Sequence, residues 1–365
     1  MKMGELLKGE NFNDSEDFIR YVDDILRDAS TSIKAIFTLS NFKTPEEFLE
    51  DLKKSGFRVV SAHGIVFRLL KHSEKYGNVE YLALYTEDGN PIFFTLATKT
   101  KEIPPTLLDY LKRAKNISNL WISLTRMDEL IENLKEEYKD DITATYFTGT
   151  YSPLFKRKAE RRPNLTRFVE YRGDDALQSY EEFKYEYGIL PRVFEFNILG
   201  YGTFRLDYQG IVVAKPRSSF SFVCQTMDEI ISEVDISKEK ITKAHVFDKP
   251  MKVGRKEFKT SLKFPWSVKL SEIIEVVKFE EFIKVLESEW EFLPIDVDIK
   301  RNDENSEFLD FSYFRVIDMM KPNEFSVICR NEDLKVYPSK TLDFGSSLRF
   351  FQSVKSFLDV NASLT

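Results

Sequence analysis

Apolar and polar positions alternate with period two in several short runs, most clearly where Phe194, Phe196 and Ile198 are interleaved with Glu195 and Asn197. After Gly200-Tyr201-Gly202 the pattern resumes, with Phe204, Leu206 and Tyr208 interleaved with Arg205 and Asp207. Successive side chains of a strand point to opposite faces, so this stretch reads as a hairpin with one buried and one wet face. A second hairpin is predicted from Tyr81 to Tyr85 and Ile92 to Leu96, turning through Glu87-Asp88-Gly89-Asn90. A third joins Phe311 to Ile317 with Phe325 to Arg330 through Lys321-Pro322-Asn323. Parallel strands buried on both faces would read as continuous apolar runs, so alternation predicts antiparallel or mixed sheets covered on one face by amphipathic helices.

Helix signals fall between the strands. Thr44-Pro45-Glu46-Glu47 combines a capping hydroxyl, a proline suited to the first helical position and a carboxylate that returns a hydrogen bond. The apolar stripe Phe48, Leu49, Leu52 follows it. Thr125 with Asp128 repeats the device ahead of Met127, Leu130, Ile131, Leu134 and Tyr138, and Thr226 with Glu229 opens a short helix carrying Met227, Ile230, Ile231 and Val234. Further helices are predicted over 15–27, 105–115, 174–187, 270–290 and 346–358. The stretch from Lys238 to Phe264 is polar and Lys-rich, but its alternating Phe247, Val253, Phe258 and Leu262 read as strands. The class is α+β, and 365 residues suit two domains. With no Gly/Ser linker or internal repeat to divide them, the boundary is placed near 150, where Pro153 and Pro163 interrupt the pattern. The expectation is an N-terminal α+β domain over 1–150 and a C-terminal α+β domain over 151–365.

Composition narrows the setting. Apolar residues make up 42% and charged residues 31%, enough to bury a sizeable core under a solvated surface. The 32 Phe and 16 Tyr predict aromatic-rich packing. Cys224 and Cys329 are the only cysteines, which excludes a disulfide scaffold and a four-cysteine zinc site and points to a cytoplasmic protein. Neither a signal-peptide core nor a run of about 20 apolar residues is visible, so no membrane partner is expected.

Charge supplies the strongest functional signal. In LFKRKAERRPNLTRFVEYR, from Leu154 to Arg172, the seven cations Lys156, Arg157, Lys158, Arg161, Arg162, Arg167 and Arg172 meet only Glu160 and Glu170, a local +5 in a chain of net charge -7. Guanidinium forks suit phosphate oxygens, and the interleaved Phe155, Phe168 and Tyr171 suit base stacking. The segment is therefore expected to meet nucleic acid or a phosphorylated ligand. A basic strip also suits an acidic protein partner or an acidic surface of the chain itself.

A second constellation is Asp248, followed across a predicted turn by Glu257-Phe258-Lys259. This resembles the D…(E/D)xK spacing of restriction-endonuclease-like cores. The resemblance implies a nuclease in which Asp248 and Glu257 hold a divalent metal while Lys259 orients the attacking water. The sequence departs from that pattern at Phe247, where such cores carry proline, and the acidic-x-Lys triplet recurs at Asp298-Ile299-Lys300.

Other chemistry has little to stand on. His63, His72 and His245 are the only imidazoles, no Gly-x-Ser-x-Gly elbow is present, and both cysteines lie in apolar runs. Neither GxxxxGK[ST] nor GxGxxG occurs. The reading is a non-catalytic binding protein without a cofactor. Metal-dependent cleavage and subunit assembly stand as alternatives.

Overall fold

Strand pairing and helix packing divide the chain into two units, Met1–Ser232 and Glu233–Thr365. The computed structural model describes residues 7, 9–28, 30–153, 155, 158–253, 256–301, 306–321, 323–340, 342–359 and 361–365. At 97, 234–236, 247–253, 256–261 and 289 it describes the backbone alone.

The first unit is built on α1 (Ser15–Asp28), β1 (Ile33–Ser40), α2 (Pro45–Lys54), β2 (Phe57–His63), β3 (Val66–Ser73), β4 (Gly77–Tyr85), β5 (Pro91–Leu96), α3 (Asp109–Arg113) and β6 (Ile117–Asn119). It continues through α4 (Leu124–Tyr138), β7 (Ile142–Tyr151), β8 (Arg167–Arg172), α5 (Ala176–Tyr187), β9 (Leu190–Ile198), β10 (Gly202–Asp207) and β11 (Ile211–Ala214) into α6 (Phe220–Thr242). The strands form one antiparallel sheet in the order β2-β3-β4-β5-β1-β11-β10-β9-β7-β8, with β6 added to β1 and β8 at one edge.

Helices cover this sheet on different faces in its two halves. Phe93, Tyr81 and Phe67 are sealed by Phe48 and Leu52 of α2 and by Leu107 and Tyr110. On the opposite face Phe94 meets Phe18 of α1 at 5.2 Å and Phe220 of α6 at 5.4 Å. That face also buries Phe194 and Phe147 against Tyr180 of α5, each at 5.4 Å. Directly paired residues share a face, and the pairs Ile36↔Phe93, Ile36↔Ile211, Asp207↔Ile211 and Asp207↔Val193 carry the face under α2 across to β9. Beyond β1 that face is solvated. Arg205 and Lys215 keep 38% and 41% of their side chains exposed, and Asn197, Glu170 and Arg172 are exposed.

The second unit holds a ribbon of β12 (His245–Val253) and β13 (Lys256–Phe264), then β14 (Trp266–Lys269), α7 (Val276–Trp290), β15 (Phe292–Arg301), β16 (Leu309–Asp318), β17 (Asn323–Arg330), β18 (Asp333–Pro338), α8 (Phe344–Ser353) and β19 (Ser363–Leu364). Its six-stranded sheet runs β15-β16-β17-β18-β14-β19. Phe279 of α7 packs on Phe314 at 5.8 Å and Phe350 of α8 on Phe325 at 5.1 Å. Every residue of α8 is buried. Asp343, its N-cap, accepts from Ser346 N at 2.9 Å and from Lys321 Nζ at 2.7 Å, and Arg349 bonds Asp318.

The α+β class and all three hairpins are present, with Phe204↔Phe196 and Leu206↔Phe194 in register. Thr44 caps α2, and Glu47 returns its bond to Lys43 N at 2.9 Å. Three helix starts differ from expectation, and the helix expected over 270–290 begins only at Val276. Ser123, not Thr125, caps α4. The helix expected at Thr226 begins at Phe220, because Ser219 Oγ accepts from Phe222 N at 3.2 Å and Asp23 of α1 accepts from the N–H groups of Phe220 and Ser221. The division expected near 150 falls between β7 and β8, which are paired from Tyr146↔Arg172 to Tyr151↔Arg167; the prolines mark a loop within one sheet. No helix of the described residues is long and apolar enough to cross a membrane.

Candidate nucleic-acid interface

The basic segment is a loop leading into the edge strand β8. Lys156 and Arg157, with Leu154, lie outside the described residues. Phe155 is buried, 3% exposed, with its ring edge-on to Tyr151 at 6.0 Å, and is not available for stacking on a ligand. Lys158 is exposed and donates to the Pro153 carbonyl. Arg161 is 62% exposed along its side chain and pairs with Glu186 at 3.2 Å. Arg162 is exposed, at a left-handed φ of 50°.

Arg167 has an internal structural role. Its guanidinium donates to the carbonyl oxygens of Arg161 at 2.7 Å and Arg162 at 2.5 Å, and lies 5.3 Å from the rings of both Tyr151 and Tyr187. The Arg162 carbonyl also accepts from Leu165 N at 3.2 Å, and the guanidinium fork ties this turn of the loop to β8. Tyr171 is likewise engaged: it stacks on Phe147 at 5.6 Å and donates to Asp175 at 2.8 Å. Phe168 is different, being 63% exposed on the edge strand. Alternation along β8 puts it on the same side as Glu170 and Arg172.

Cross-strand pairing extends Arg172 into a row that sequence reasoning missed. Arg172 faces Tyr146, Tyr146 faces Glu195, Glu195 faces Arg205, Arg205 faces Val213 and Val213 faces Lys34. The guanidinium groups of Arg172 and Arg205 lie 5.1 and 4.5 Å from the Tyr146 ring. Arg205 also holds Glu195 at 2.7 Å, Lys215 holds its other oxygen at 2.8 Å, and Thr145 donates to it at 2.8 Å. Burial pushes the Glu195 carboxyl up, but the hydrogen bonds from Lys215, Arg205 and Thr145 bring it below the ordinary carboxylate range. Lys34, only 8% exposed, donates to Thr100 at 3.0 Å, and burial lowers its pKa. Asp207 flanks the row; burial raises its carboxyl to about 6 against the pull of Gln209 N–H, Arg192 and Lys34.

The nuclease-like triplet lies on the β12–β13 ribbon. There Asp248 faces Ser261, Lys259 faces Pro250 and Glu257 faces Lys252. Glu257 thus stands four positions along the strand from the partner of Asp248, about 13 Å at strand rise, and the register does not bring these two residues together. Their side chains lie outside the described ones. Among the described residues no three His, Cys, Asp or Glu gather closely enough to hold a metal ion. Cys224 and Cys329 are buried free thiols, raised by burial well above the ordinary value and to about 12, so neither is a thiolate nucleophile at neutral pH. His63 is held between the Glu10 carbonyl at 2.8 Å and Ser61 Oγ at 2.9 Å.

The AF_0896_M family middle domain matches residues 125–209, which include the whole basic segment together with Tyr146, Glu195 and Arg205. An uncharacterized protein of Archaeoglobus fulgidus is 67% identical over 358 residues, covering 98% of this chain and 97% of that one. At that identity over nearly the full length of both, the chain belongs to the family of this Archaeoglobus fulgidus protein.

Proposed function

We propose that the protein is a cytoplasmic, non-catalytic binding protein whose first unit meets the phosphate backbone of a nucleic acid at the β8 edge. The observation that carries this reading is Phe168, 63% exposed on β8 between Arg167 and Arg172. A large ring left in water on an edge strand is a liability unless a ligand covers it. Arg172 shares the face of β8 with Phe168, and Lys158, Arg161 and Arg162 are exposed on the loop that leads into the strand, a set of cations that would neutralise phosphates along this edge. Two buried free thiols suit a reducing compartment.

Fluorescence anisotropy with labelled single- and double-stranded DNA and RNA over a salt series tests the reading. Wild type should bind at least one of the four, weakening steeply with salt. Arg162→Glu with Arg172→Glu should abolish binding, and Phe168→Ala should weaken it about tenfold. Absence of binding to all four removes the proposal. The terminal position of β8 favours a second reading, in which an acidic partner protein adds a strand to that edge. Nuclease-resistant co-purification of a stoichiometric partner would then replace nucleic-acid binding.

A further inference from the structure

The solvated half of the sheet face continues from Phe168 and Arg172 toward β1 with a row of cations running through it. Along the paired row, Arg172, Arg205 and Lys34 are cationic, Lys215 joins from β11's end, and Glu195 is the one carboxylate. Lys34 is buried, so the accessible cations are Arg172, Arg205 and Lys215; against them stand Glu195, already held by Arg205 and Lys215, and Glu170, which reaches the Tyr146 hydroxyl from β8. Glu195 is itself 4% exposed and held by Arg205 and Lys215, so its charge is already paired within the sheet. Glu170 and Asp207 lie on the flanking row, as Glu170↔Thr148, Thr148↔Val193 and Val193↔Asp207.

Geometry selects the kind of polyanion. From β8 to β11 the accessible cations span five strands, about 19 Å at sheet spacing, a length that suits the smaller single-strand sites of roughly four nucleotides. The cations lie low in the surface: Arg205 and Lys215 are 38% and 41% exposed, and Lys34 is buried beside Thr100. A rigid duplex touches the rim of such a surface, whereas a single strand lies down on it. The Arg172–Tyr146–Arg205 stack also presents guanidinium planes on which unpaired bases, but not paired ones, can lie.

We infer that the row Arg172–Tyr146–Arg205–Lys215 is a track for single-stranded nucleic acid, running from the β8 edge across the sheet roughly perpendicular to its strands. This rests on the reading that the basic segment meets nucleic acid. It adds the substrate class, the direction of the strand and residues far from that segment in sequence.

The test compares a labelled twelve-nucleotide single strand with the duplex of the same sequence, for wild type and for Lys215→Gln, Arg205→Gln, Glu195→Gln and Arg162→Glu, with circular dichroism on each. Lys215→Gln should weaken single-strand binding roughly five- to tenfold and flatten its salt dependence by about one charge, leaving duplex binding unchanged. Glu195→Gln should tighten single-strand binding, which separates a charge effect from damage to the fold. If Arg162→Glu weakens binding while Lys215→Gln, Arg205→Gln and Glu195→Gln match wild type, the track is overturned and the edge reading stands. Equal losses on single strand and duplex overturn the single-strand assignment. No binding by wild type overturns both.

Discussion

The guanidinium of Arg167 donates to the backbone carbonyl of Arg161 at 2.7 Å, so one cation of the basic segment holds the backbone that presents another. A local charge density describes how many positive groups a stretch contains. It does not separate those that face solvent from those that close a loop. Arg167 belongs to the second kind, Arg162 and Arg172 to the first.

That distinction predicts opposite effects on stability. Arg167→Gln should lower unfolding free energy by about 1–2 kcal/mol, since it breaks charge-assisted bonds to two carbonyls. It should also speed proteolysis in the 158–166 loop. Arg162→Glu should leave urea unfolding within about 0.5 kcal/mol of wild type, as surface changes do. A stable Arg167→Gln variant would place the loop's rigidity elsewhere.

Glu195 predicts how the first unit responds to acid. Its folded carboxyl lies below the ordinary range because the bonds from Lys215, Arg205 and Thr145 outweigh burial. A depressed carboxylate stabilises above its unfolded pKa and loses that contribution as pH falls through the folded value. Glu195→Gln should therefore cost about 1–2 kcal/mol at pH 7. The difference from wild type should close as urea unfolding is repeated below about pH 4.

Asp207 has the reverse sign. Burial raises its folded carboxyl to about 6, so its contribution is present below the unfolded value and is lost as pH rises through 6. Asp207→Asn keeps a side-chain oxygen for Gln209 N–H, which now sits 2.8 Å from the carboxylate. The variant should be more stable than wild type by about 1–2 kcal/mol at pH 7, allowing for partial solvation, with the gain gone near pH 4. A variant less stable at pH 7 would mean that the Arg192 and Lys34 charges outweigh burial.

Local pattern was legible where the determinant is local. The alternation of Phe194, Phe196 and Ile198 with Glu195 and Asn197 specified both the hairpin and its wet face, and the Thr44 box specified α2. The start of α6 was missed: Ser219 caps it locally through Phe222 N, and Asp23, nearly two hundred residues upstream, takes the first two N–H groups. Thr226, the local candidate, instead donates to the Phe222 carbonyl inside the helix. The same limit applies to the site. Lys34, Tyr146, Arg172, Glu195, Arg205 and Val213 are each ordinary members of their own strands, and only the pairing order puts them in one row. Likewise the charge of the segment was readable, while the engagement of Tyr171 with Phe147 and Asp175 depends on β7 and α5 lying beside it.

The second unit makes its own prediction. Arg349 and Asp318, 3% and 2% exposed, are paired inside a sheet-and-helix core, and Arg349 also lies 4.4 Å from the Phe292 ring. A buried pair contributes little net stability, because desolvation offsets attraction, but removing one partner strands the other charge. Asp318 keeps Ser346 Oγ and Met320 N as donors, so it is the better satisfied of the two when alone. Arg349→Met should lower stability by about 3 kcal/mol, and adding Asp318→Asn should recover a substantial part by removing the stranded carboxylate. Unfolding followed by tryptophan fluorescence reads this directly, since Trp266 and Trp290 lie in the second unit against Trp121 in the first. A double variant as unstable as the sum of the two single ones would show that packing around α8, rather than charge pairing, sets the cost.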